Sequence, residues 1–347
     1  VVGAAVVGVG GVRLTHGQIL LGDCRESLLS LPDQSVHCCV TSPPYFGLRD
    51  YGCDGQMGLE ATPDAFVAGM VALFREVRRV LRDDGTLWLN LGDSYVSSAC
   101  VVKEGGVSKA SGLNGARTSE KYRSTLSAGH GQSIDRTKFG IAPKNLIGIP
   151  WRVAFALQAD GWYLRQDIVW SKPNPMPESV RDRCTKAHEY LFMLSKSPQY
   201  YYDFEAIKEP AVSSKGKWTD GGSEKQRGHS RRHAGFNGRY AERIALTGAP
   251  TTRNKRSVWS IPTKPFKGAH FATFPVALIE PCILAGAPLG GTVLDPFFGA
   301  GTTGLAAQQN GRKYIGCELN SGYAEIARQR LDPPIPYHPI LSIALCA

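Results

Sequence analysis

Nine cysteines are present, but no Cys-x-x-Cys pair occurs among them, and Cys38 and Cys39 stand side by side in an apolar run where they cannot easily form one bridge. That absence argues against a zinc site and a disulfide scaffold and predicts reduced thiols and no metal. Long apolar runs are also missing. Residues 1–12, VVGAAVVGVGGV, are apolar but too short to span a bilayer, and no basic segment precedes them. They read as a loose arm, and no membrane partner is expected. Gly8 and Gly10 open a dinucleotide fingerprint, but Arg13 stands where its third glycine would fall, so the fingerprint is discarded. Internal repeats and heptad arrays are absent. So is an acidic excess: 40 Lys and Arg against 30 Asp and Glu give +10, the balance of a chain that meets a polyanion.

What is present is a chain of 347 residues, 42% hydrophobic, long enough for a full core in one large α/β domain carrying an inserted module. Residues 18–21 read as a strand ending at Gly22-Asp23-Cys24, followed by a brief helix over 26–31. Residues 36–40 form a second, buried strand. Thr62-Pro63-Asp64 starts a helix with a cap, a first-turn proline and an acid at the positive end. Phe66, Met70, Leu73, Phe74, Val77 and Leu81 then recur at helical spacing, and Asp83-Asp84-Gly85 ends the helix. A strand over 86–91 closes at Gly92-Asp93, where Asp93 suits either a substrate contact or, slightly better, a cap. Helix 150–157 and strands 166–170 and 188–194 follow, the two strands as an antiparallel edge. The last third holds a helix over 275–287, a strand over 292–294, a helix over 303–310, a strand over 313–317 ending in Glu318, and a helix over 323–331.

Two stretches interrupt this order. Residues 96–139 lose apolar periodicity and read as a long mobile basic loop. Between 210 and 256, eleven lysines and arginines meet three acids, a net +8. Trp218, Phe236 and Tyr240 are interleaved with Lys215, Lys217, Arg227, Arg231, Arg232, Arg239, Arg253, Lys255 and Arg256, a composition that suits nucleic acid.

Chemistry concentrates at two loops. The buried strand at 36–40 opens into Thr41-Ser42-Pro43-Pro44-Tyr45. Two successive prolines fix the backbone and remove two donors, leaving rigid carbonyl acceptors beside one hydroxyl and one aromatic ring, a holder for a planar group bearing an NH2. Far downstream, Asp295-Pro296-Phe297-Phe298-Gly299-Ala300-Gly301-Thr302-Thr303 is a strand, a glycine turn and a helix start, where backbone N–H groups can meet a carboxylate or phosphate. Seventeen residues after Gly301, Glu318 ends the next strand, in position to grip both hydroxyls of a ribose. Asp23, at another strand end, can accept from a base. Nicotinamide and adenosyl cofactors both fit that half alone.

Together the two loops resemble the amino-methylating DNA methyltransferases, which use S-adenosyl-L-methionine. In that family Asp/Ser/Asn-Pro-Pro-Tyr holds the target amino group and Asp-Pro-Phe-x-Gly-x-Gly-Thr-Thr the methionine end. The resemblance covers residues 14–332, and the target loop precedes the cofactor motif, as in the permuted β group. It implies a Rossmann-like α/β fold: a mixed, mostly parallel sheet with an antiparallel edge hairpin and helices on both faces. Its catalytic domain would be discontinuous, 13–204 and 258–332, with a target-recognition region at 205–257 and arms at 1–12 and 333–347. The methionine part would meet Asp295, Phe297, Gly299, Gly301, Thr302 and Thr303, the ribose Glu318 and the adenine Asp23. His270, Phe274 and Pro275 would complete the pocket, with Cys24, Thr41 and Asn320 also on its wall. Ser42, Pro43, Pro44 and Tyr45 would hold a base flipped out of double-stranded DNA. Serine at position 42 is the form more usual for N4 of cytosine, with N6 of adenine as the alternative. A C5 methyltransferase would need a cysteine nucleophile; Cys282 lies in an apolar helical run and reads as core. An inactive DNA binder and a nicotinamide oxidoreductase are the rival classes, and the second leaves Ser42 to Tyr45 without a role. The expected setting is a prokaryotic or phage-type cytoplasm, and a cognate restriction endonuclease stays open as a partner.

Overall fold

The structure, a computed structural model, describes residues 17–96, 140–211, 246, 251–263 and 274–331. The chain divides into two compact units, one of residues 1–202 with 257–347 and the other of 203–256.

The first unit is built on an eight-stranded sheet. Its strands are β1 (Gly17–Leu21), β2 (Val36–Thr41), β3 (Leu81–Leu91), β4 (Tyr163–Ser171), β5 (His188–Ser195), β8 (Val258–Ser260), β9 (Thr292–Asp295) and β10 (Lys313–Glu318), in the spatial order β1-β10-β9-β2-β3-β5-β4-β8. Only β5 runs against the rest: β3 and β4 flank it antiparallel, whereas the other pairs are parallel. The predicted hairpin is therefore β4–β5, with β8 added outside it as a strand the sequence reading lacked. Only Trp259 of β8's three residues is buried, too little alternation to register as a strand.

Helices cover both faces because side chains alternate along the central strands. Cys39 of β2 and Leu87 and Leu89 of β3 share a core with helices α1 (Cys24–Leu29), α2 (Pro63–Val80) and α3 (Ile149–Ala159). Their neighbours Cys38, Thr86 and Trp88 point the other way, against Gly286 at the end of α4 (Val276–Gly286). Helices α5 (Thr302–Gln309) and α6 (Ser321–Leu331) follow in chain order. Cys282 of α4 is fully buried, as a core residue should be.

Helix α2 shows how the sequence sets an element. Thr62 Oγ1 accepts from Ala65 N at 3.1 Å and Pro63 occupies the first turn. Phe66, Met70, Leu73, Phe74 and Val77 are buried, each stabilising the fold by roughly 1.5–3 kcal/mol. The helix stops at Val80, before the predicted Asp83-Asp84-Gly85, because Leu81 already adopts extended backbone and pairs with Val36. The register then slips, and pairing resumes at Thr86 opposite Cys38.

In the second unit, β6 (Glu209–Pro210) and β7 (Thr252–Arg253) form a short antiparallel ribbon.

Candidate active site

Strands β2 and β9 are neighbours, yet the chain leaves them in opposite lateral directions, toward β3 from one and toward β10 from the other. Their carboxyl ends therefore diverge and leave a crevice, the place where open α/β sheets bind ligands. The two loops singled out in the sequence sit on its two sides. Thr41 closes the base: its Oγ1 donates to Asp295 Oδ1 at 2.6 Å. Asp295 also accepts from Thr303 Oγ1 at 2.6 Å and from Phe297 N at 3.0 Å, so one carboxylate pins the strand end, the glycine turn and the start of α5. Burial raises its pKa to about 6, against the three donors that favour the charged form.

Gly301 is the N-cap of α5, at φ +77°, and a Cβ there would lie 3.0 Å from Ala327, so a side chain is excluded by conformation and by space. Glu318, at the end of β10, accepts from Gly299 N at 2.7 Å and Asn320 N at 2.8 Å. Those bonds fix the carboxylate and leave lone pairs for a ligand. Burial moves its pKa upward. Asp23 caps α1 through Arg25 N at 2.8 Å, and the bonded guanidinium of Arg25 holds its pKa down. It serves both as a cap and as a cavity wall.

The cavity encloses about 930 Å³ of empty space, part of it open to solvent. Asp23, Cys24, Ser42, Pro44, Phe274, Asp295, Phe297, Gly299, Thr302, Glu318 and Asn320 line it. Thr41, Pro43 and Thr303 are buried and do not, and neither do Tyr45, Gly301 and Pro275, the last being the N-cap of α4. His270 lies outside the described residues.

A second layer supports Ser42. Its hydroxyl donates to Asn90 Oδ1 at 3.4 Å, and Asn90 Nδ2 donates to the Tyr190 carbonyl at 3.1 Å. Tyr45 Oη donates to Glu189 Oε2 at 2.6 Å, and Glu189 is paired with Lys172. Beneath the Tyr45 ring is Gly92, where a Cβ would come within 2.4 Å of Cε2. Burial and Glu189 hold the Tyr45 phenol in its neutral form by raising its pKa well above the ordinary value. Asn90 and Glu189 were missed in the sequence; a polar residue inside the apolar run Leu87-Trp88-Leu89-Asn90-Leu91 was the available signal.

Comparison with known proteins places the chain. A family model described as "DNA methylase", covering N6 and N4 enzymes, matches residues 36–329. The chain belongs to this DNA methylase family. Among curated members, the type II methyltransferase M.Cfr9I of Citrobacter freundii is 48% identical, over 92% of this chain and 89% of its own. M.SmaI of Serratia marcescens is 45% identical over 92% of each. Among solved structures, the cytosine-N4-specific PvuII DNA methyltransferase aligns with a TM-score of 0.57 at 19% identity, over 92% of this chain and 88% of that one, a likeness of fold. A DNA modification methylase of Thermus thermophilus, in complex with S-adenosyl-L-methionine, aligns with a TM-score of 0.52 at 25% identity, over 90% and 92%. The DNA methylase reading makes the protein a member of an S-adenosyl-L-methionine-dependent, amino-methylating family, and it displaces the nicotinamide class.

Of the bases expected to meet DNA, Lys215, Lys217, Arg227, Arg231, Arg232 and Arg239 lie outside the described residues. Arg253 and Arg256 both donate to Glu209 Oε1, at 2.9 and 2.8 Å, and Lys255 is half-buried. Among the described residues no cluster of metal ligands occurs, and no helix is long and apolar enough to cross a membrane.

Proposed function

We propose that this DNA methylase transfers a methyl group from S-adenosyl-L-methionine to N4 of cytosine in duplex DNA, acting on a base turned out of the helix. The observation that carries this reading is the shared cavity: Ser42 and Pro44 line the same space as the Gly299 turn and Glu318. Three carboxylates, Asp23, Asp295 and Glu318, border it. That potential suits a cationic, ribose-bearing ligand better than a pyrophosphate. Glu318 would hold the ribose, Asp23 the adenine, and the Phe297 to Thr302 turn the methionine end. When bound, S-adenosyl-L-methionine supplies an electrophilic methyl on sulfur.

An exocyclic amino nitrogen is a weak nucleophile because its lone pair is shared with the ring. Acceptors that hold its hydrogens as it pyramidalises raise its reactivity by placement and electrostatics. Because the proton of Ser42 is turned toward Asn90, its oxygen lone pairs are left for that task, with the Pro43 carbonyl as second acceptor. Tyr45 offers a ring face for stacking, its hydroxyl tethered to Glu189. No covalent intermediate with the chain is required, and the nitrogen gives its surplus proton to solvent. Residues 205–257 would read the target, and a cognate restriction endonuclease would accompany the enzyme in the cytoplasm, as the type II names of M.Cfr9I and M.SmaI suggest.

Serine at position 42 favours cytosine over adenine. Digestion of DNA from cells expressing the protein, with mass spectrometry of the nucleosides, should yield N4-methyl-2′-deoxycytidine. Only 6-methyladenine would reverse the choice of base, and no modified base would remove the activity.

A further inference from the structure

We infer that residues 46–58, the loop that follows the target-amino segment, form the outer wall of the cofactor cavity, with Tyr51 facing the ligand and Gln56 as the positioning residue. The inference rests on the S-adenosyl-L-methionine reading above. Tyr51, Cys53, Gln56 and Met57 all line the cavity that the Gly299 turn also lines. Neither helix nor strand occurs in 46–58, so side-chain bonds set the loop's shape. Its base is closed by Gly47 N donating to Gly58 O at 2.7 Å and Leu48 N to Tyr45 O at 3.2 Å. Both ends thus stand on the segment that holds the target amino group.

Gln56 organises the interior. Its Oε1 accepts from Tyr51 N at 2.7 Å and its Nε2 donates to Arg49 O at 3.2 Å. Two latches come from other segments of the chain. Arg25, bonded to Asp23, donates to Gly55 O at 3.1 Å, and Asn320 Nδ2 reaches Cys53 Sγ at 3.4 Å. The loop is therefore fastened to the two elements that border the adenine and ribose places. Burial, with Glu318 adding to it, raises the pKa of Tyr51 and keeps a neutral phenol on the ribose side. A ligand in the cavity would lie between this wall and the glycine turn, and would steady the loop whose ends carry Pro44 and Tyr45.

Cys53 gives a direct readout, because it is half-exposed on this wall while Cys184 is exposed elsewhere. The full chain is labelled with N-ethylmaleimide, and each cysteine is followed by peptide mass spectrometry. Saturation with S-adenosyl-L-homocysteine, verified by calorimetry, should slow Cys53 about tenfold or more and leave Cys184 unchanged; a duplex oligonucleotide alone should not slow Cys53. Gln56→Ala should raise the dissociation constant for S-adenosyl-L-homocysteine about tenfold and abolish the protection. Gln56→Glu, which keeps the acceptor for Tyr51 N, should restore most of both. Calorimetric binding with no change in wild-type Cys53 labelling overturns the wall alone. No binding of S-adenosyl-L-homocysteine or S-adenosyl-L-methionine at all overturns the functional reading and this inference with it. The wild-type labelling decides the matter even if a variant fails to fold.

Discussion

Thr41 and Asp295 are 254 positions apart along the chain and joined by a 2.6 Å hydrogen bond. That contact ties two loops from distant parts of the sequence to one cavity, where neighbouring residues are placed differently. Ser42 lines the cavity, whereas Gly301 is the N-cap of α5 and does not. Ser42→Ala should therefore keep cofactor affinity by calorimetry and lose turnover by roughly 10²–10³-fold, the cost typical of one lost polar contact to the reacting group. Gly301→Val should lose both, since φ +77° and Ala327 at 3.0 Å leave no room. Equal loss of cofactor binding in the two variants would refute the division.

Asp295 carries a pH signature of its own. Its folded pKa of about 6 lies above the ordinary carboxylate value of 3.8, so the folded chain holds an extra proton between those limits. Its contribution to stability is fully present below the lower value and is lost as pH rises through the upper one. Asparagine can keep an acceptor toward Thr41 and Phe297 and donate to Thr303, without the titration. The stability of wild type relative to Asp295→Asn should fall from pH 4 to about 6.5 and level off above it, read from paired thermal melts. A difference that does not change with pH would refute this assignment.

At the scale of elements, Asp93 shows a carboxylate at the functional rim that turns out to hold a helix. It accepts from Gly148 N at 3.0 Å and Ile149 N at 3.1 Å, at the start of α3, where Gly148 itself offers no capping side chain. Asp93→Ala should cost about 1–2 kcal/mol in urea unfolding and leave the affinity for S-adenosyl-L-homocysteine as it was. A large loss of affinity at normal stability would return Asp93 to the binding site. The same contrast marks what could be read in advance. The helix over Phe66, Met70, Leu73, Phe74 and Val77 and the buried strand before Ser42 were legible, since one buried face imposes a period on the sequence. So was the meeting of Ser42 with the Gly299 to Thr302 turn at one cavity, because acceptors and bare backbone require specific residue types. Residues 46–58 were not: their shape depends on Gln56, Arg25 and Asn320, whose partnerships have no period and, for the last two, no proximity along the chain. The antiparallel β5 was legible as a strand, but its place between β3 and β4 is set by pairing alone.

At the scale of the whole molecule, the cavity and most of the excess charge belong to different units of the chain. Every described residue lining the cavity belongs to the unit of 1–202 with 257–347, while residues 210–256 of the chain carry +8 of the total +10. A cavity bordered by three carboxylates and a basic segment would attract different partners, a cationic cofactor and a polyanion, without either drawing the other's ligand. If the basic segment meets phosphates, its work is counterion release, and its signature is salt dependence rather than affinity at one condition. Changing Lys215, Lys217, Arg227, Arg231, Arg232 and Arg239 together to glutamine should make the plot of log K against log salt shallower by roughly 0.9 for each one that neutralises a phosphate. Fluorescence anisotropy with a labelled duplex at several salt concentrations gives that slope, and calorimetry with S-adenosyl-L-homocysteine should give an unchanged constant. An unchanged slope would move the DNA-binding surface elsewhere on the chain. A lost cofactor affinity would mean that the segment and the cavity are not independent, and that the binding energy for the two ligands is shared.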